Sequence, residues 1–210
     1  MFENIIFDFD GTLADTVQSF LKAMRQVFQE LDIFYDETIF NERIFVVPVS
    51  ELNQHLANSI PSDKMDSALL RFRVLRSDSI DKEDRVYPGI ENLLKELKSS
   101  GRKLFIATNS SKDSFAKKLE LFFKESPFDD TRAQTGTKLE MIADLIAVHN
   151  LDKSKTVMVG DGLGDIIAGN TAKIKTIAVA YGYEPDKLAL KSTADFYVET
   201  VGELGECLKK

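Results

Sequence analysis

Two carboxylates, Asp8 and Asp10, bracket a single residue in the segment DFDGT. Acids this close suit a division of labour in which one attacks as a nucleophile and the other donates and accepts a proton. Two neighbouring anions do not both ionise comfortably without a cation. A divalent metal would relieve that repulsion and screen a carboxylate approaching an anionic phosphate. Gly11 lets the chain turn in a conformation that other residues resist, and Thr12 follows it. Taken alone, the pair equally suits a solvated acidic loop.

Two further clusters carry related groups. Thr108, Asn109 and Ser110 offer hydroxyl, amide and backbone N–H donors, which suit phosphate oxygens, although the same composition also caps helices. In GDGLGD, Asp161 and Asp165 stand four residues apart among glycines. A helix starting near Leu163 would let both converge on one ion, and Mg2+ prefers such oxygen ligands. Acids at a helix start are also favoured by the macrodipole alone.

Each cluster follows a short apolar run: Phe2 to Phe7, KLFIATNSS from Lys103, and KTVMVGDGLGD from Lys155; a fourth run, KTIAVAYGY, begins at Lys175. Helical periodicities separate them. Ile90, Leu93, Leu94 and Leu97 recur ahead of a capping Gly101, Phe115, Leu119 and Phe122 mark a second helix, and Ile142, Leu145, Ile146 and His149 a third. Strands alternating with helices predict an α/β fold with a Rossmann-like parallel sheet, whose strand carboxyl ends bind ligands. The stretch from Thr16 to Arg85 differs. Phe20, Met24, Val27, Phe28 and Leu31 mark one amphipathic helix and Met65, Leu69 and Phe72 another, with only IFVVPV (Ile44 to Val49) strand-like. Residues 16–85 are therefore expected to form a small helical domain inserted into a core made of residues 1–15 and 86–210, with hinges near Asp15–Thr16 and Arg85–Tyr87.

Composition narrows the function. The chain has 210 residues, 43% hydrophobic and 29% charged, with a formal charge of −7 that argues against non-specific nucleic-acid binding. An acidic protein that handles an anion must create its attraction locally. No apolar run approaches transmembrane length, and no basic segment precedes an apolar one at the start, so neither a membrane nor a signal peptide is expected. Cys207 is the single cysteine, which excludes an intrachain disulfide and makes a reducing cytoplasm the expectation.

DFDGTLADT, IATNSS, a lone Lys138 and GDGLGDIIAGN, in that order, resemble motifs I to IV of the haloacid dehalogenase superfamily, and the helical insertion after motif I is similar to that superfamily's C1-type cap. Phosphoglycolate-phosphatase-like enzymes are the nearest comparison. The resemblance implies that Asp8 attacks phosphorus to form an aspartyl-phosphate. Asp10 would protonate the leaving oxygen and then activate water. Thr108 and Lys138 would hold phosphate oxygens, with Gly11, Thr12 and Asn109 beside them. Mg2+ would be held by Asp8, the Asp10 carbonyl, Asp161 and Asp165. Dehalogenase members lack the acid/base at the Asp10 position, so Asp10 with Thr12 favours a phosphatase.

Departures from the pattern concern details. Lys138 is followed by Leu139 where cap-bearing members carry Pro, and Lys103, at a strand start, is a poor substitute for it. The AGNTAKI phrase after motif IV and Pro48 in the insertion also differ. Arg43, His55, Arg71, Arg73 and Arg76 are candidates for an anionic substrate tail, while His55 and His149 show no metal-site spacing. The expected function is hydrolysis of a small phosphorylated metabolite by a monomer or homodimer. The alternatives are a β-phosphoglucomutase-like phosphomutase and a non-catalytic phosphate- or partner-binding protein.

Overall fold

The computed structural model describes residues 1–34, 60–184 and 186–209. Six strands make one parallel sheet: β1 (Asn4–Phe7), β4 (Lys103–Thr108), β5 (Asp130–Ala133), β6 (Thr156–Gly160), β7 (Lys175–Val179) and β8 (Phe196–Val198), in the spatial order β5-β4-β1-β6-β7-β8. The buried runs of β1, β4 and β6 are apolar on both faces because helices cover both. On one face Ile5, Phe7, Ile106, Val157 and Val159 pack against Leu93, Leu94 and Leu97 of α3 (Ile90–Ser99) and Leu204 and Leu208 of α8 (Val201–Lys209). On the other, Ile6, Phe105 and Met158 meet Met141, Ile142 and Leu145 of α5 (Lys138–Val148) and Ala168 of α6 (Leu163–Thr171).

The predicted strands and helices of the core are present, and the sheet gains two strands that periodicity did not reveal, β5 and β8. Phe7 pairs with Ile106 on one side and Val159 on the other. Asp8, Thr108 and Asp161 therefore leave the sheet at the same edge. Parallel α/β sheets bind ligands at that edge.

A second, two-stranded sheet carries the chain out and back. β2 (Ala14–Asp15) pairs antiparallel with β3 (Arg85–Val86), Asp15 opposite Arg85. Between these strands lie α1 (Val17–Glu30) and α2 (Met65–Glu83). Met24, Val27 and Phe28 pack with Ile60, Ala68 and Leu75 in a cluster separate from the sheet's, and the rings of Phe20 and Phe72 sit 5.1 Å apart. The strand-like run from Ile44 to Val49, with Arg43, Pro48 and His55, lies outside the described residues.

Candidate active site

Three carboxylates meet at the sheet edge. Asp8 follows β1, Asp161 follows β6, and Asp165 occupies the first turn of α6, where it accepts from the Gly162 N–H at 3.2 Å. All three are buried, and one oxygen from each lies within 4.8 Å of the others. The chain is shaped around them. Gly11 has φ of 85°, and a Cβ there would collide with the Asp161 carboxylate. The Thr12 hydroxyl donates to Asp161 Oδ1 at 3.0 Å and the Tyr183 N–H to its Oδ2 at 2.7 Å. Thr12, expected beside phosphate, thus spends its hydroxyl on orienting Asp161.

Lys138, the first residue of α5, is the cation of this group. Its Nζ lies 2.6 Å from Asp8 Oδ1, 2.8 Å from Asp165 Oδ1 and 2.7 Å from the Ala107 carbonyl. A capping box holds the helix end: Thr137 Oγ1 accepts from the Glu140 N–H, and Glu140 accepts from the Thr137 N–H. Lys138 therefore reaches the site from a fixed helix start without the proline found there in similar motifs. Burial works against the lysine's charge, but Asp165 and Asp8 more than offset it and hold its pKa above the usual range. For Asp8, burial wins; with Asp165 and Asp161 adding repulsion, its pKa stands well above the carboxylate range despite Lys138. Burial, with Asp165, likewise pushes Asp161 up to about 7.

Asp10 sits apart from the three. Its carboxylate accepts from Lys118 Nζ, from Ser110 Oγ at 2.5 Å and from Thr16 Oγ1 at 2.7 Å, with an Arg76 nitrogen 3.9 Å away. Burial alone would raise its pKa; Lys118 and Arg76 reverse the sign and keep Asp10 ionised well below the usual range. Lys118, on α4 (Lys112–Phe122), is 1% exposed, and Arg76, on α2, is 7% exposed. Arg76 also donates to Asp84 Oδ2 at 3.0 Å and to Ser19 Oγ at 2.5 Å. Arg76, a candidate for a substrate tail by sequence, is buried here against acids of the protein. A signal was there to find. Lys118 falls between Phe115 and Leu119 on the apolar face of its helix, and Arg76 continues the Leu69–Phe72 face of α2.

The remaining expected residues are more peripheral. Thr108 is buried at the end of β4, its hydroxyl accepting from the Ser110 N–H at 3.1 Å, and Asn109 beside it is partly exposed. Arg71 pairs with Glu30 across α1 and α2, and Arg73 is exposed. His149 caps α5, with Nε2 2.8 Å from an Asp130 oxygen.

The trio fits a divalent cation. Three buried carboxylates against one lysine leave an excess of negative charge, visible in the raised pKa values of Asp8 and Asp161. An all-oxygen donor set of this kind suits a hard ion such as Mg2+.

Comparisons with known proteins agree with this geometry. A family model described as haloacid dehalogenase-like hydrolase matches residues 5–179. A phosphoglycolate phosphatase of Psychrobacter arcticus is 29% identical over 196 residues, which span 85% of this chain and 84% of the relative. A pyrophosphatase PpaX of Halalkalibacterium halodurans is 22% identical over 205 residues, 95% of this chain and 94% of the relative. The crystal structure of CbbY from Rhodobacter sphaeroides in complex with phosphate shares the fold, with a TM-score of 0.82 at 21% identity over 98% of this chain and 97% of that one.

Proposed function

The chain belongs to the haloacid dehalogenase-like hydrolases, and from that membership we propose that it is a Mg2+-dependent phosphatase of small phosphomonoesters. The observation that carries the reading is the division of the site's acids. Asp8 lies in the buried carboxylate trio beside Lys138, while Asp10, two residues on, lies in a separate cationic pocket.

In this reading Asp8 attacks phosphorus. The bond from phosphorus to the ester oxygen breaks, and Asp10 delivers the proton that the leaving oxygen needs. Asp10, now ionised, takes a proton from water as that water attacks the aspartyl-phosphate, which frees inorganic phosphate and restores Asp8. Lys138 and Thr108 hold the phosphate oxygens. Mg2+, held by Asp8, Asp161, Asp165 and the Asp10 carbonyl, would neutralise the carboxylates that otherwise repel the substrate. The contacts of Asp10 with Lys118 and Arg76 describe the base form; donating a proton requires those contacts to loosen. Because Arg76 rides on α2, movement of residues 16–85 about the β2–β3 ribbon would gate that step and the entry of water.

The names of the relatives put phosphoglycolate and pyrophosphate at the head of a screen of phosphorylated metabolites, assayed for phosphate release with and without Mg2+. Asp8→Asn keeps the shape and removes the nucleophile. Its release should fall to background while the chain still unfolds cooperatively, and near-normal turnover would sink the mechanism.

A further inference from the structure

The loop after β7 reads YGYE, and no catalytic motif accounts for it. Tyr183 has an unusual position within it. Its backbone N–H donates to Asp161 Oδ2 at 2.7 Å, so one end of the residue holds a carboxylate of the trio. Gly182 makes this possible, since a Cβ there would collide with the same carboxylate. The other end of Tyr183 reaches the ribbon. Its phenol oxygen accepts from the Thr16 N–H at 2.5 Å and lies 3.4 Å from the Ala14 carbonyl, both on the outgoing strand side. Tyr181 of the same loop packs its ring edge-on, at 4.9 Å, against Tyr87, which follows the returning strand β3. The loop therefore touches both chain crossings between the sheet and the inserted helices, the outgoing one through the Tyr183 hydroxyl.

Thr16 extends the connection. It occupies the N-cap position of α1, yet its hydroxyl makes no capping bond. That hydroxyl donates to Asp10 Oδ1 at 2.7 Å. A side-chain cap stabilises a helix, and α1 forgoes it here. The path Asp161–Tyr183–Thr16–Asp10 thus joins the two halves of the site through the joint itself.

We propose that Tyr183 is a positioning residue that couples the metal-site carboxylate Asp161 to the joint at Thr16, so that metal binding orders the joint and the joint's position is felt at the metal. The assignment of Asp161 to the metal rests on the function proposed above. Coupling of this kind is reciprocal: whatever Mg2+ does to the joint, the joint does to Mg2+ affinity. The loop is braced to act as a strut. Glu184, 2% exposed, accepts from the Leu163 N–H at the start of α6, and Lys187 donates to the Gly182 carbonyl at 3.0 Å.

The test is amide exchange at Thr16 in the full chain, with Mg2+ alone as the probe. In the unmodified protein Mg2+ should slow exchange at Thr16. Tyr183→Phe keeps the ring and the backbone bond to Asp161 and removes only the hydroxyl. It should speed basal exchange at Thr16 by about three- to tenfold, the worth of one hydrogen bond, and abolish the response to Mg2+. Calorimetric Mg2+ affinity should change by less than about threefold, and in the phosphate-release assay kcat should fall while half-saturating Mg2+ holds. Tyr181→Phe is the control, since the Tyr181 hydroxyl donates to the Thr12 carbonyl at 3.0 Å and not to the joint; it should retain the Thr16 response. The coupling is overturned if Mg2+ leaves Thr16 unchanged in the unmodified protein, or if the response survives in Tyr183→Phe. It is equally overturned if Tyr181→Phe loses the response too, or if Tyr183→Phe loses Mg2+ affinity and Tm together. Absence of phosphate release from every ester tested would refute the phosphatase reading instead, while the exchange and calorimetry still decide the coupling.

Discussion

At the scale of single residues, the site is organised by where its cations stand. Lys138 serves the trio, and Lys118 serves Asp10; both are buried, and each is sustained by the acid it faces. A buried ammonium is tolerable only when paired, and removing one partner leaves the other uncompensated. Lys118→Met keeps much of the length and loses the charge. Asp10 would keep Ser110, Thr16 and Arg76 but lose its strongest partner, so phosphate release should fall by at least about tenfold, within the range ascribed to acid–base groups. The sign of the pH effect follows. Lys118 holds the Asp10 pKa down, so without it the acidic limb of the activity profile should move to higher pH. An unchanged profile would show that Lys118 does not govern Asp10. Spacing singled out Asp8, Asp10, Asp161 and Asp165 at strand ends, but each pair alone also fits a solvated loop or a helix start. Only the four motifs in order drew them into one site. Lys118 is the second of two adjacent lysines in FAKKLEL, and a helical lysine usually faces water, so only its place on the Phe115–Leu119–Phe122 stripe marks it as buried.

Among elements, the pieces that position the site are the ones whose local sequence agrees with their structure. Helix α5 starts at Lys138 because Thr137 and Glu140 satisfy its first N–H groups. Thr137→Ala should cost about 1 kcal/mol and lower Tm by about 2–4 °C, measured by thermal unfolding. Glu140→Gln, which keeps an acceptor, should cost less. Helix α3 could be read directly from Ile90, Leu93, Leu94 and Leu97, all of which it buries. Strand β5 could not. Its sequence is DTRA, only Ala133 is buried, and it pairs along one side alone at the sheet edge, so its stability comes from β4 and not from an apolar pattern. Strand β8, three residues long at the opposite edge, was hidden for the same reason. The β2–β3 ribbon is two residues wide, too short for any periodicity, and only its turn-like neighbours hinted at it.

For the whole molecule, the concentrated charge of the trio makes stability depend on pH and metal together. Asp161 has a pKa of about 7 in the folded chain against 3.8 for the free group. The folded state therefore binds the proton more tightly than the unfolded one. Stability of the metal-free protein should fall as pH rises from 3.8 towards about 7 and level off above it. Asp8, raised in the same direction, adds to this. Mg2+ competes with that proton, so its stabilisation should be larger at pH 8 than at pH 5. At a hundredfold excess over Kd it should reach about 2.7 kcal/mol, or about 5–10 °C in Tm. Thermal unfolding across pH, with and without Mg2+, measures both effects, and equal gains at the two pH values would contradict the assignment.

The strand order has a further consequence, for biosynthesis. β1 lies in the middle of the sheet, with β4 and β6 as its neighbours. Asn4 pairs with Lys103 and Thr156, so the strand that leaves the ribosome before its partners waits for almost 100 residues for one and about 150 for the other. At ordinary translation rates that delay is on the order of ten seconds. During it the segment NIIF, apolar in three of its four residues, is without its sheet, while α1 and α2 can already pack on each other. The inserted helices thus form a local, early-folding neighbour for a nascent strand whose second partner, β6, follows it by about 150 residues.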